Sequence, residues 1–326
     1  MSSASDLLER ARSGNTRSIA RLLTIVENDE PDAAEVMREL YPLTGTARVV
    51  GVTGPPGGGK STLVSRLAGA YRDRGDRVAV VAIDPSSPFT GGAILGDRIR
   101  MRERFLDQGL FIRSMASRGH SGGVARATMR VVHILDALGV GTVLVETVGV
   151  GQEEIEVVRV ADTVCLVTVP GLGDDIQAIK AGVLEIADVL VVNKADRPGA
   201  DEAVRDLAMM QSLGTRGGSG RQRGLEREGS QWRAPILRTS AFENTGIAEL
   251  MAAIARHGEW ARESGEQDRR RRDAARAEVE TLLRETLVRR VTDRIGTGAV
   301  DAAVARVAAR ELDPYAAVTQ LVGGPD

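Results

Sequence analysis

From residue 48 onward the chain alternates short, continuous apolar runs with segments whose apolar residues recur at helical spacing. The runs read RVVGVT, RVAVVAI, GLFIRSM, GTVLVETV, DTVCLVTV, ADVLVVN and PILRTSA. A strand that is apolar at successive positions has both faces covered, and strands separated by helices pair in parallel. The pattern predicts an α/β fold of three layers, α/β/α, around a mostly parallel sheet. Ligands of such sheets gather at the carboxyl ends of the strands. Before the first run, Leu7, Leu8, Ile19, Leu22, Leu23 and Val26 have helical spacing, interrupted by SGN and NDEP, which predicts a helical N-terminal extension over residues 1–44. After the domain at 45–260, residues 261–326 begin as a charged helix with an apolar stripe through Val279, Leu283, Leu287, Val291 and Ile295. A second helical piece is expected from about 298 to 322. A long helix that leaves a finished domain with a stripe to bury reads as a dimerisation arm, and packing back on its own domain is the alternative.

Composition narrows the function classes. The 326 residues carry 43 Lys and Arg against 45 Asp and Glu, a formal charge of −2, so no global basic field recruits nucleic acid. Aromatic residues make up only 3%, too few for base-stacking platforms. The lone cysteine, Cys165, excludes an internal disulfide framework and reads as a small core residue. The N-terminal MSSASDLLERARSG lacks a secretory apolar region and no 18-residue apolar run occurs, so a cytoplasmic protein without membrane association is expected. Residues 214–230, GTRGGSGRQRGLEREGS, read as a surface loop whose glutamates dilute its basic charge.

The chemistry enters at GVTGPPGGGKSTLV, residues 51–64. Gly54, Pro55, Pro56, Gly57, Gly58, Gly59, Lys60 and Ser61 fit G-x-x-x-x-G-K-[ST], directly after a strand and before an apolar helix containing Thr62. Glycines let consecutive backbone N–H groups curl around an anion, and the helix starting near Lys60 adds its positive end. Lys60 is placed to reach the β- and γ-phosphates, and the Ser61 hydroxyl to ligate Mg²⁺. This motif alone leaves the base undecided.

Two later motifs select guanine. VVNKAD ends an apolar run with Asn193, Lys194 and Asp196. A carboxylate in the base pocket accepts two hydrogen bonds from guanine N1–H and its amino group, a donor pair that adenine lacks, so the wrong base would leave a charge unpaired. Lys194 would lie along the purine and Asn193 would tie neighbouring loops. In RTSAFENTGI, Ser240 and Ala241 follow another strand, where a backbone N–H can meet guanine O6. The segment VLVETVGVGQEE holds Glu146 and Gly149 where GTPases commonly carry D-x-x-G, the acid serving the Mg²⁺ shell and the glycine N–H the γ-phosphate. Gln152 stands three residues beyond that glycine and is not assigned as a water-positioning residue. Asp84 ends the strand VAVVAID, facing the nucleotide, where a carboxylate can hold a metal-bound or attacking water. Asp97, beginning GDRIRM, reads on its own as an N-terminal helix charge.

Together GPPGGGKST, AIDPSSPFTGGAILGDRIRM, FIRSMASRGHSGG, VETVGVGQEE and VVNKAD resemble the methylmalonyl-CoA mutase-associated GTPase family, MeaB/ArgK, from about residue 5 to 265. The resemblance implies a P-loop GTPase, usually homodimeric, that uses GTP/GDP and Mg²⁺. It implies association with an adenosylcobalamin-dependent acyl-CoA mutase such as methylmalonyl-CoA mutase, gating of cofactor loading and protection or rescue of the mutase. It also implies that Asp84, Asp97 and Glu146 organise Mg²⁺ and nucleotide as catalytic residues beside Lys60. PSSPFTGG suits a switch loop that orders on the γ-phosphate. Arg118 and His120 are candidates for the partner surface. GLGDDIQAIK, residues 171–180, resembles the family's additional switch, with Gln177 and Lys180 signalling nucleotide state to the partner.

Two other readings stay open. A metal-insertion GTPase shares this fold branch, but one cysteine and the three scattered histidines His120, His133 and His257 offer little for a cargo metal. A kinase or transport ATPase, the sense of the ArgK name, conflicts with a guanine-selecting Asp196. No water-positioning glutamine or arginine finger is assignable, so slow intrinsic hydrolysis is expected.

Overall fold

The computed structural model describes residues 4–85, 107, 109–117, 123–147, 160–171, 186–214 and 232–323. Helices α1 (Ala4–Arg12), α2 (Thr16–Glu27) and α3 (Ala33–Leu40) precede strand β1 (Arg48–Thr53) and helix α4 (Lys60–Asp73). Strands β2 (Val78–Pro85) and β3 (Leu110–Ser117), helix α5 (Gly123–Ala137), and strands β4 (Thr142–Thr147), β5 (Thr163–Thr168) and β6 (Val189–Val192) follow. Helix α6 (Ala200–Gly214), strand β7 (Ile236–Arg238) and helix α7 (Ile247–Glu263) complete the α/β region. The seven strands form one sheet in the order β3-β2-β4-β1-β5-β6-β7, every pair parallel. Each of the seven apolar runs of the sequence supplies one strand. No helix among the described residues is long and apolar enough to cross a membrane.

Strand periodicity divides the core into two layers. Val49, Ala79, Val81, Val143 and Val145 face one side, where they meet Leu22, Leu23, Val36 and Leu40 of the N-terminal helices and Val131 and Ile134 of α5. Val50, Val52, Val78, Val80 and Leu144 face the other, against Leu63 and Leu67 of α4 and Leu250 and Ile254 of α7. Adjacent residues of one strand therefore enter different layers, which is why the runs show no polar alternation. Leu22, Leu23, Val36 and Leu40 are fully buried, each worth roughly 1.5–3 kcal/mol of transfer free energy. The N-terminal helices are thus part of the covering layer of the sheet. Asn15 caps α2 by accepting the Ser18 N–H at 3.0 Å. Ion pairs join Glu27 to Arg113 of β3, and Asp29 to Arg130 of α5 at 2.6 Å. Cys165 is fully buried, as its apolar run predicts, and burial pushes its thiol pKa up.

A polar network is buried at the amino end of β6. The Asp188 carboxylate accepts the Val164 N–H at 2.9 Å and both terminal nitrogens of Arg270 at 2.8 Å. His257 Nε2 lies 3.3 Å from the same carboxylate, while its Nδ1 is 2.8 Å from Thr163 Oγ1. Arg270 also donates to Asp162 O at 3.0 Å and to Glu266 at 2.8 Å, and the Trp232 indole N–H donates to Asp188 O at 2.8 Å. Burial alone pushes the Asp188 carboxyl up, but its hydrogen bonds from Arg270 and His257 outweigh that and hold its pKa well below the usual carboxylate range.

The chain divides into two compact units, Met1–Arg270 and Arg271–Asp326. The second comprises most of helix α8 (Glu266–Ile295), with α9 (Thr297–Ala308) and α10 (Pro314–Val322). The expected single piece from 298 to 322 is two helices. Arg310 takes a left-handed φ of 61°, and Asp313 caps a fresh start by accepting the Tyr315 and Ala316 N–H groups at 2.9 and 3.0 Å. Pro314 sits at the first position of α10, where its missing N–H is harmless. Arg294 donates to Val322 O at 2.7 Å within this unit. Of the apolar stripe on α8, Val279, Leu283 and Leu287 are at least half exposed, and Val291 and Ile295 are partly buried.

Candidate nucleotide site

Strand β1 lies at the centre of the sheet, and the loop after it runs into α4, which starts at Lys60. Three loop glycines take positive φ: Gly54 at 140°, Gly57 at 74° and Gly59 at 80°. At Gly54 a Cβ would stand 2.0 Å from Val167 O of β5, so the loop lies directly against the neighbouring strand end with no room for a side chain. At Gly59 it would stand 2.6 Å from Asn193 Nδ2. These approaches explain a composition so poor in helix formers just before a helix.

Lys60 is buried, and its ammonium donates to the carbonyls of Gly54 at 2.8 Å and Pro55 at 3.0 Å, so the charge sits inside the loop's curve. Ser61 Oγ donates to Glu146 Oε1 at the end of β4, 2.6 Å away, and both residues are buried. An alcohol and a carboxylate oxygen side by side beneath a phosphate loop are the hard donors that Mg²⁺ prefers, so these two residues fit the ion. Beside them, Thr147 Oγ1 donates to Thr53 Oγ1 at 3.0 Å, tying the ends of β4 and β1 together. Asp84 falls in the last residues of β2, as expected, on a strand adjacent to β4, though its side chain is not among those described. Asp97, Gly149, Gln177 and Lys180 lie outside the described residues, as do Arg118 and His120.

The base-selecting segment follows β6. Asn193 links three loops: its Nδ2 donates to Gly58 O at 2.9 Å, while its Oδ1 accepts from Thr239 Oγ1 at 3.1 Å and from the Ala241 N–H at 3.2 Å. Lys194, left-handed at φ 56°, donates to Gly57 O at 2.8 Å. The Asp196 carboxyl is held below its ordinary pKa, chiefly by the Ser240 hydroxyl, which favours its ionised form.

In the loop after β7 the Ser240 N–H donates to Thr245 O at 3.1 Å and the Ala241 N–H to Asn193 Oδ1 at 3.2 Å. The Ser240 hydroxyl accepts the Glu243 N–H at 3.2 Å and lies beside Asp196, whose pKa it lowers. An antiparallel bridge between Ser240 and Thr245 closes the loop on itself. Three further residues of the site, Thr53, Thr147 and Thr239, carry no motif in the sequence. A threonine ending an apolar strand next to a glycine-rich loop is the one signal that was available.

A glycine-rich phosphate loop on the central strand, a buried lysine, a serine–carboxylate pair and an N-K-x-D segment bonded to that loop define a P-loop GTPase. The family model described as "Methylmalonyl Co-A mutase-associated GTPase MeaB" matches residues 19–295, and the chain belongs to that family. A Pyrococcus abyssi protein named as a GTPase is 47% identical over 98% of this chain and 97% of its own length. The mitochondrial methylmalonic aciduria type A homolog of Caenorhabditis elegans is 32% identical over 82% of this chain and 69% of its own. Among solved structures, one titled as an LAO/AO transport system kinase superposes with a TM-score of 0.66 at 27% identity, covering 98% of this chain and 96% of the other.

Proposed function

We propose that this GTPase is a nucleotide-driven chaperone for an adenosylcobalamin-dependent acyl-CoA mutase, with methylmalonyl-CoA mutase the first candidate. The observation that carries the reading is the family match across residues 19–295, whose description couples the GTPase to that mutase. The name of the nematode relative points to the same metabolic step.

In this reading, the backbone N–H groups of the loop from Gly57 to Ser61 and the Lys60 ammonium hold the phosphates, while Asp196 accepts from the guanine ring and Asn193 keeps the two loops in register. Ser61 and Glu146, with Asp84 and Asp97, would hold Mg²⁺, which when bound offsets negative charge on the transferred phosphoryl group. Lys60 stabilises charge developing on the β–γ bridging region. GTP and GDP then favour different arrangements of the switch segments, including Gln177 and Lys180, and the mutase binds those arrangements unequally. The exposed Val279, Leu283 and Leu287 support a homodimer in which the α8 arm covers its stripe with a second copy.

The test is GTP hydrolysis by the purified protein, alone and with candidate mutases, with ATP as the control nucleotide. The expected result is slow turnover alone and at least severalfold stimulation by one mutase, with none for ATP. Turnover that is the same with every mutase would remove the chaperone assignment and leave the GTPase standing.

A further inference from the structure

Ser61 and Glu146, the two residues that fit Mg²⁺, stand on different elements: Ser61 on the helix fed by β1, and Glu146 on β4 itself. Their separation depends on how the carboxyl ends of β1 and β4 are held together. The backbone register between these strands runs from Arg48 opposite Thr142 to Val52 opposite Glu146. One position further, each strand is registered on its other side, Thr53 with Leu166 of β5 and Thr147 with Ile83 of β2. At that level a side-chain bond joins the two halves of the sheet: Thr147 Oγ1 donates to Thr53 Oγ1 at 3.0 Å, with both residues buried.

The pair acts from the far face. Side chains alternate along a strand, so Thr53 shares the face of Val49, and Thr147 that of Val143 and Val145, which the N-terminal helices and α5 cover. Glu146 points the other way, toward α4, where Ser61 Oγ meets it at 2.6 Å. Neither threonine therefore stands among the metal donors. Yet Thr53 directly precedes Gly54, where the phosphate loop begins, and Thr147 directly follows the carboxylate. A bond between them fixes the point at which loop and carboxylate part. The phosphate-binding N–H groups lie on one segment and move together, whereas the metal donors lie on two. Mg²⁺ demands near-ideal octahedral oxygen positions, so loosening the strand ends is felt by the metal and not by the phosphates.

Resting on the Mg²⁺ reading of Ser61 and Glu146, we infer that Thr53 and Thr147 are positioning residues for the metal: their hydroxyl pair is the last rung between β1 and β4 and sets the spacing of the two donors.

The test compares Thr147→Val, the double variant Thr53→Val with Thr147→Val, and Thr147→Ser with the wild-type chain. Each is titrated calorimetrically with a non-hydrolysable GTP analogue across a series of Mg²⁺ concentrations and in EDTA. Both valine variants should need about three- to tenfold more Mg²⁺ for half-maximal tightening, the range that one hydrogen bond contributes, with affinity in EDTA within about twofold of wild type. Thr147→Ser, which keeps the donor, should stay near wild type. Thermal melting without nucleotide separates positioning from packing. Thr147→Val leaves the buried Thr53 hydroxyl without its partner and should melt lower, whereas the double variant strands neither hydroxyl and should recover most of that loss. A double variant whose Mg²⁺ requirement recovers together with its melting temperature would overturn the positioning role. So would an unchanged requirement in both valine variants, or an equal loss of affinity with and without Mg²⁺. Wild-type protein whose analogue binding ignores Mg²⁺ would instead overturn the metal reading of Ser61 and Glu146, and the inference with it.

Discussion

Lys60→Ala is expected to lower single-turnover GTP hydrolysis by about 10²–10³-fold, the usual loss when a preorganised donor to a developing oxyanion is removed. The ammonium is buried within the phosphate loop and held by two of that loop's own carbonyls, Gly54 and Pro55. Its position is therefore set before the nucleotide arrives, and little reorganisation accompanies the reaction. Loss of the charge should also weaken GDP binding roughly ten- to hundredfold, since a hydrogen bond to a charged group contributes about 1.5–3 kcal/mol. Lys60→Arg should not restore turnover, because a planar guanidinium cannot occupy the place of a compact ammonium between two carbonyls. Hydrolysis by Lys60→Ala within threefold of wild type would remove this lysine from the catalytic site.

The second large effect concerns stability. Arg270→Ala should cost about 3–5 kcal/mol, because it strands the buried Asp188 carboxylate. That carboxylate would keep the Val164 N–H and the neighbouring His257 but lose both guanidinium bonds, while Glu266 and the Asp162 carbonyl would each lose a partner as well. Asp188→Asn in the Arg270→Ala background should recover part of the loss, since the double variant no longer buries an unpaired charge, and a double-mutant cycle measured by denaturant unfolding reads that coupling. The pH dependence has a definite sign. The folded pKa of Asp188 is depressed, so the unfolded chain takes up a proton first as pH falls. The stability this group contributes is present above the unfolded carboxyl value of about 3.9 and is lost progressively below it, toward the folded pKa. Arg270→Ala should flatten that acid limb. An unchanged limb would show that Arg270 is not what holds the carboxylate ionised.

How much of this was legible in the sequence depended on how local each signal is. The five inner strands could be read because a strand buried on both faces writes a continuous apolar run whatever it pairs with, and the partly buried edge strands β3 and β7 keep shorter apolar runs of their own. The phosphate loop and N-K-x-D were legible for a related reason: backbone curvature and base selection each demand particular residues within a short span. Contacts made across the fold left no such trace. Thr53 meets Thr147 across 94 positions, Asp188 meets Arg270 across 82, and Arg66 meets Ala241 across 175, and neither member of these pairs stands out from its neighbours. The bridge between Ser240 and Thr245 left no trace for the same reason, since RTSA indicates a strand exit but not how the loop closes. The break between α9 and α10 is a different case. Its signal, Asp313-Pro314, is local and stands in the sequence, but a helical apolar pattern on both sides masked it.

The single cysteine turns the molecule into its own reporter. Cys165 lies in the middle of β5, and its side chain packs in the layer between the sheet and helices α4 and α7, so a thiol reagent reaches it only when that layer opens. The neighbouring strands carry the phosphate loop at the end of β1 and Asn193 at the end of β6, with Asp188 at the other end of β6. Alkylation kinetics of the unmodified chain therefore meter the lifting of α4, the helix that the phosphate loop feeds, and of α7 from the sheet, without any label to introduce.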